Sequence, residues 1–406
     1  MDNNIKNRKI LIVDDEVELL NLLKMVLTKE GFKNITIICD ENTYVAAGEE
    51  VEEVIPKGNF IKLKSENLHA NEVAVQKVYE CLVAESDVLI ALGAGTIHDI
   101  TRYVAYNKDI PFISVPTAAS VDGFTSTVAD MTWRGYKKTF TAVSPIYVVA
   151  DTDIFKEAPY RLTASGVSDL IGKYIALVDW KISSIVIGEY ICNRICNMEI
   201  DAINKVCQCV DELVLGNTEA YEQLMYALII SGLAMQIIGN SRPASGAEHH
   251  MANLWEMEVI NEHLNAYHGE RVSAALILVM EEYEKIKKAI ENERCRVKKY
   301  SGLEMDMLKE VFRGREMYNS IIKENTPDPL LNVNKVILQN RLENIAEILE
   351  KLPTLDFVKN TLMRAKAVTT FEEIGLPQGI KEKSLRISPY TTNRLTLMRL
   401  SKMLDY

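Results

Sequence analysis

The chain has 406 residues, of which 57 are acidic and 46 basic, for a formal net charge of -11. That length exceeds the usual single-domain range and sets an expectation of two domains, each able to bury a sizeable core. The acidic balance argues against a broad nucleic-acid-binding face but leaves room for a small cationic pocket that receives a phosphate. The seven cysteines are odd in number and unevenly spread, so reduced thiols are expected rather than a disulfide framework.

From the N-terminus, MDNNIKNRK lacks the apolar core and small-residue cleavage site of a signal peptide, and a cytoplasmic chain is expected. RKILIVDDEVELLNLLKMVLTKEGF then reads as a strand, an acidic pair and a helix. It resembles the start of a response-regulator receiver domain, with Asp14 and Asp15 in the place of the magnesium-binding acids. The receiver's phosphoacceptor strand and later lysine are missing. Residues 1–32 are therefore read as a receiver-like strand and helix that pack on the next domain without a phosphorylation switch.

Over residues 33–158, NITIICD, FIKL, DVLIALGAG and PFISVPT alternate with amphipathic stretches such as VAVQKVYECLVAES. Strands separated by helices imply parallel pairing with right-handed crossovers, hence an α/β nucleotide-binding domain built on a parallel sheet. Residues 159–406 change to long apolar-periodic segments, at 220–238, 272–288 and 334–351, which predict an all-α C-terminal domain. The most apolar of them, 224–239, is too short and interrupted for a membrane span and reads as a buried helix. A cleft between the two domains is the default ligand site.

Two loops of the first domain carry chemistry. In DVLIALGAGTIHDI, Gly93 and Gly95 let backbone amides approach a pyrophosphate, and the helix from Thr96 offers unpaired N–H groups and a positive dipole end. The full GxGxxG spacing fails at His98, and a plain strand-to-helix turn uses glycine in the same way. In PFISVPTAASVDGFTSTVAD, Thr117, Ser120, Asp122, Gly123 and Ser126 form a dense set of short hydrogen-bonding groups. That density suits the nicotinamide side of a nucleotide and a polyol, against the alternative of a turn held by its own side chains.

Four of the six histidines fall in SRPASGAEHHMANLWEMEVINEHLNAYHGERV, as His249, His250, His263 and His268. Neutral imidazole is the commonest ligand for divalent transition metals. His249 and His268 are the natural pair, because adjacent His250 points about 100° away on a helix. Asp169, in RLTASGVSDLIGK, offers a third, oxygen ligand; its other reading is an acid that offsets a helix dipole. The scattered Cys192, Cys196, Cys207 and Cys209 match no common zinc spacing.

In this order, CDENTYVAAG, LGAGTIHDI, VPTAASVDGFTS, ASGVSDLIGK, SRPASGAEHH, HGERV and the closing YTTNRLTLMRLSKML resemble the sn-glycerol-1-phosphate dehydrogenases. That family lies in the iron-alcohol-dehydrogenase and dehydroquinate synthase-like superfamily, and the resemblance covers residues 20–406. It implies an N-terminal nucleotide-binding α/β domain, an all-α metal-binding domain, and a homodimer. Asp40, Gly95, Thr96, Ile97, His98 and Asp99 are implied as cofactor contacts, as are Thr117, Ala118, Ala119, Ser120 and Ser126. Asp122, Asp169 and Asn253 are implied as catalytic and substrate contacts, and Asp169, His249 and His268 as ligands of one divalent metal, zinc or nickel. The implied reaction is reversible reduction of dihydroxyacetone phosphate to sn-glycerol 1-phosphate by NADH or NADPH, with the metal polarising the ketone.

Two positions depart from the family pattern. Asn253 stands where a substrate-contacting histidine is usual, four residues after His249 and on the same helical face. An amide can hydrogen-bond a hydroxyl or phosphate but cannot shuttle a proton near pH 7, so weaker catalysis or a shifted substrate is expected. Ser168 replaces the usual glycine before the metal aspartate. The alternatives are a related dehydrogenase acting on glycerol or another polyol, and a catalytically degenerate member with a binding or regulatory role.

Overall fold

The computed structural model describes residues 19–406. Asp14, Asp15 and the receiver-like strand lie outside the described residues. Helix α1 (Leu19–Glu30) is described, and its Leu22, Leu23, Val26 and Leu27 are buried against the sheet that follows. The expected packing of this helix on the nucleotide domain is thus observed.

Strands β1 (Ile35–Asp40), β2 (Asn59–Leu63), β3 (Val88–Gly93) and β4 (Phe112–Pro116) are joined later in the chain by β7 (Tyr147–Val148). Between β4 and β7, strands β5 (Val128–Trp133) and β6 (Tyr136–Thr141) pair with each other in a separate two-stranded sheet. The main sheet is parallel throughout, in the order β2-β1-β3-β4-β7. Its central strands are nearly all apolar because both faces are covered. In β3, Val88, Ile90 and Leu92 enter the cluster that includes α1, while Leu89 and Ala91 enter the opposite one. That alternation is the two-residue period of a strand seen from its two sides. Helices α2 (Glu72–Cys81) and α3 (Gly95–Lys108) supply Val75, Val78, Ile97, Ile100 and Val104 to the second cluster.

Among the later helices, those that matter for the site and the core are α4 (Tyr160–Ile187), α5 (Thr218–Ile238), α6 (Ala247–Glu256) and α7 (His268–Glu291). By contacts the chain divides into two compact units, and the division is not a single cut at residue 158. The first unit takes the chain through Arg134, Lys138–Gly166 and Asp211–Asn240; the second takes Gly135–Lys137, Val167–Val210 and Ser241–Tyr406. Helix α5, expected in the helical domain, therefore belongs with the sheet. Among the described residues it is the one helix apolar and long enough to cross a membrane by length and composition. Its Leu224, Leu228 and Ile229 are fully buried, which suits the reading as a core helix.

The first unit also explains a glycine. A Cβ on Gly166 would sit 2.0 Å from the Ala119 carbonyl oxygen, so only glycine lets the start of α4 lie this close to the loop after β4.

Candidate nucleotide rim and metal centre

In the first unit, the strand order reverses between β1 and β3, since the chain builds outward through β2 on one side and β4 on the other. Ligands of open parallel sheets bind at such a reversal, beyond the carboxyl ends of the strands. Asp40 ends β1 and Gly93 ends β3 there. Asp40 is half-buried; its carboxylate accepts from Thr43 N at 2.9 Å while its own N–H donates to Thr43 Oγ1 at 2.9 Å. This reciprocal cap fixes the carboxylate at the rim.

Helix α3 starts at Gly95 with no side chain capping its first turn, which leaves its leading amides open to an anion. Gly95, Thr96 and Asp99 are half-exposed, whereas Ile97 and His98 are buried against the sheet. An approach to a phosphate at those two positions would use their backbone amides rather than their side chains. His98 Nδ1 meets the Ala94 carbonyl at 3.0 Å and Nε2 meets Ser114 Oγ at 2.7 Å, and burial pushes its pKa down to about 3. Its imidazole is a strut between α3 and β4, and no ring nitrogen is left for a cofactor.

The loop after β4 returns to the same rim, where Thr117 N donates to the Gly93 carbonyl at 3.1 Å. Thr117, Ala118, Ala119, Ser120, Asp122 and Ser126 are all buried. Asp122 accepts from Ser231 Oγ at 2.8 Å, and Ser126 Oγ accepts from Val128 N at 3.1 Å. Arg102, fully buried, donates to the carbonyls of Gly123, Phe124 and Val128. Much of this loop's polar density therefore holds its own turn.

In the second unit, Asp169 on α4, His249 on α6 and His268 at the first turn of α7 offer ligand atoms within 4.8 Å of one another. Among the described residues no other such group of His, Cys, Asp and Glu occurs, and all seven cysteines are free thiols. Asp169 is fully buried; its Oδ1 accepts from Lys173 Nζ at 2.5 Å and lies 3.2 Å from His249 Nε2. Burial alone would raise its pKa, but the Lys173 ammonium and the His249 hydrogen bond hold it well below the carboxylate range.

His249 Nδ1 meets Glu248 Oε1 at 2.7 Å. With Nδ1 donating to the carboxylate, Nε2 is the nitrogen left for a metal, and in the metal-free site it donates a proton to Asp169. Burial would lower the His249 pKa, yet its hydrogen bonds to Asp169 and Glu248 outweigh it and raise the value to about 9. Burial is also the first cause acting on His268, and there it prevails and lowers the pKa. Glu248, fully buried, is itself held by Gly246 N at 2.9 Å. Asp179 braces the same turn: its carboxylate accepts from Ala247 N at 2.9 Å, Tyr283 OH at 2.6 Å and Leu397 N at 2.8 Å. A Cβ on Gly246 would stand within 3 Å of Glu248 Oε2, Asp179 Oδ2 and the Ala176 backbone, so glycine is required there.

Two imidazoles and one carboxylate converging from three helices fit a divalent transition metal, with a coordination position left for substrate. Glu248 Oε2 is buried without a hydrogen-bond partner, and the carboxylate bonds through Oε1 alone, to His249 Nδ1 and Gly246 N. Asn253, four residues along α6, keeps its Oδ1 buried and without a partner. The other two histidines of the cluster lie elsewhere. His263 is exposed and pairs with Glu258 at 2.6 Å; His250 is fully buried, and burial followed by the charges of Arg394 and Arg242 keeps it neutral.

Residues 16–159 match the iron-containing alcohol dehydrogenase family. A glycerol-1-phosphate dehydrogenase (NAD(P)+) of Geobacillus thermodenitrificans is 30% identical over 394 residues, covering 95% of this chain and 89% of that protein. One of the same name from Halalkalibacterium halodurans is 36% identical over 398 residues, covering 95% and 91%. The chain belongs to the glycerol-1-phosphate dehydrogenase family. The crystal structure of an archaeal alcohol dehydrogenase from a Red Sea brine pool shares its fold, with a TM-score of 0.63 at 15% identity over 98% of this chain and 93% of that one. The iron-containing alcohol dehydrogenase of Thermococcus thioreducens does so with a TM-score of 0.55 at 16% identity, over 88% and 98%.

For a chain of the glycerol-1-phosphate dehydrogenase family, the fold expected from the sequence is the fold observed. The sequence alone does not single out Lys173, Glu248 and Asp179, because charged side chains are ordinarily assigned to solvent. Two signals were available. Lys173 stands at helical spacing i+4 from Asp169, and Glu248 directly precedes His249 in a segment otherwise short of charge.

Proposed function

We propose that this protein reduces dihydroxyacetone phosphate to sn-glycerol 1-phosphate with NADH or NADPH at a single divalent metal, zinc or nickel. The observation that carries the reading is the convergence of buried Asp169, buried His249 and half-buried His268 in a chain aligned over 95% of its length with a named glycerol-1-phosphate dehydrogenase. When bound, the metal supplies Lewis-acid polarisation of the ketone and the nicotinamide supplies the hydride. The chain's own part is positional. Asp40 and the uncapped start of α3 offer a hydroxyl acceptor and anion-binding amides for the coenzyme. Asp169, His249 and His268 hold the metal, with Glu248 fixing the ring of His249. Asn253 would orient the substrate through hydrogen bonds and hands on no proton, which leaves protonation of the nascent hydroxyl to water or to another group. A cytoplasmic homodimer is part of the same reading and rests on the family resemblance.

Metal analysis of the purified protein followed by coenzyme oxidation with dihydroxyacetone phosphate tests the proposal. We expect close to one zinc or nickel per chain, activity with the phosphorylated ketone far above that with dihydroxyacetone, and a gain in turnover for Asn253→His. Bound metal and bound coenzyme without coenzyme oxidation would overturn the catalytic reading in favour of a binding role. Preference for dihydroxyacetone would point to a polyol dehydrogenase instead.

A further inference from the structure

A second polar row runs beside the metal ligands in the same unit. On α6, His249, Asn253 and Glu256 follow at spacings of four and three, which puts them on one face; on α7, His268 and Arg271 are one turn apart. The Glu256 carboxylate receives Lys137 Nζ at 2.8 Å and lies 3.6 Å from Arg271 Nη1. Two cations thus meet one carboxylate. Burial would raise the Glu256 pKa, but Lys137 and then Arg271 bring it down to about 2, so the acid stays ionised between the two cations.

Arg271 is the anomalous member. It is only 9% exposed, and its guanidinium makes no hydrogen bond among the described residues. Its Nε is buried without a partner, and 3.6 Å to Glu256 is beyond hydrogen-bond range. A guanidinium offers five donors, and a buried charge whose donors go unmet is destabilising unless a ligand meets them. Its planar fork matches two oxygens of a phosphate monoester, and it stands one helical turn from the metal ligand His268.

We propose that Arg271, supported by Lys137, is the phosphate-binding group of this site and sets its selectivity for a phosphorylated three-carbon polyol over the free polyol. Glu256 splits the two cations and keeps Arg271 in place when the site holds no anion. The identity of the phosphorylated ligand rests on the function proposed above; the anion site itself does not.

Calorimetric binding of sn-glycerol 1-phosphate, glycerol and inorganic phosphate to the metal-loaded chain, without coenzyme, tests this. Arg271→Gln is expected to weaken sn-glycerol 1-phosphate binding roughly ten- to a hundredfold, from the loss of one or two charge-assisted hydrogen bonds. Inorganic phosphate should compete in the parent and not in Arg271→Gln, Arg271→Lys should keep part of the affinity, and bound metal should be unchanged. Because the guanidinium lacks internal hydrogen bonds, Arg271→Gln should melt no lower than the parent, whereas a merely structural arginine would lower the melting temperature. Equal anion affinity in parent and Arg271→Gln, or no phosphate binding by the parent, would overturn the assignment. Arg271-dependent phosphate binding without reduction of dihydroxyacetone phosphate would keep the anion site and reject the proposed reaction.

Discussion

At the scale of single residues, His249 shows how one neighbour decides whether a histidine can serve a metal. Its ring has a carboxylate on each side, Glu248 at 2.7 Å from Nδ1 and Asp169 at 3.2 Å from Nε2. Only the tautomer with the proton on Nδ1 presents a lone pair at Nε2, and Glu248 stabilises that tautomer. Changing Glu248 to Gln leaves an oxygen for the hydrogen bond but removes the charge that strengthens it and lets the amide flip. We expect metal affinity to fall ten- to a hundredfold, the usual range for such outer partners, as measured by competition with a chelator. An unchanged affinity would mean that helix packing alone orients the ring. The two histidines proposed as ligands were legible in the sequence, because histidine is scarce in this chain and four of its six are clustered. Lys173 and Glu248 were not, because their burial depends on helices that meet only in the folded state.

At the scale of elements, local sequence carried the sheet well and the grouping of helices poorly. The strands are short β-branched runs between turn residues, and their nearly continuous apolarity follows from burial on both faces. Helix α5 is apolar around most of its circumference, so no periodic stripe says which neighbour it faces. Its place is set instead by points of close approach, such as Thr125 Oγ1 donating to the Ile229 carbonyl at 3.1 Å. The start of α4 is governed in the same way by Gly166 against the Ala119 carbonyl. A methyl group there has no room, and the obstacle is backbone rather than a side chain that could rotate. Gly166→Ala should therefore destabilise the protein by about 1–3 kcal/mol in urea unfolding, as overpacking does. Because residues 117–120 are also expected coenzyme contacts, NADH binding by fluorescence should weaken in parallel. A stable variant with normal coenzyme affinity would show that the loop yields freely.

At the scale of the whole molecule, Asp179 ties α4, α6, α7 and the closing segment around Leu397 into one unit. Burial is the first cause that raises its pKa, to about 7, and the Glu248 charge adds to it against the hydrogen bonds from Tyr283, Leu397 and Ala247. An unfolded aspartate titrates near 3.9. Between those two values the folded chain binds a proton that the unfolded chain has released, so stability from this group is greatest at low pH and declines as pH rises from about 4 to about 7. The difference corresponds to a loss on the order of 4 kcal/mol. His98 acts in the opposite sense. Its folded pKa of about 3 makes stability fall as pH drops below the unfolded value of 6.5, so the net profile of the parent conceals both groups. Comparison with Asp179→Asn isolates one of them. Asparagine cannot ionise and keeps an oxygen for Tyr283 and Leu397, while its amide group loses the bond from Ala247 N. That variant should be less stable than the parent near pH 5, where Asp179 is already neutral, and should recover relative to the parent toward pH 8, where the parent carries a buried charge. Urea unfolding of both metal-free proteins at pH 5, 6.5 and 8 gives the difference directly. Parallel curves across that range would place the Asp179 pKa near its unfolded value and assign the brace to hydrogen bonding alone.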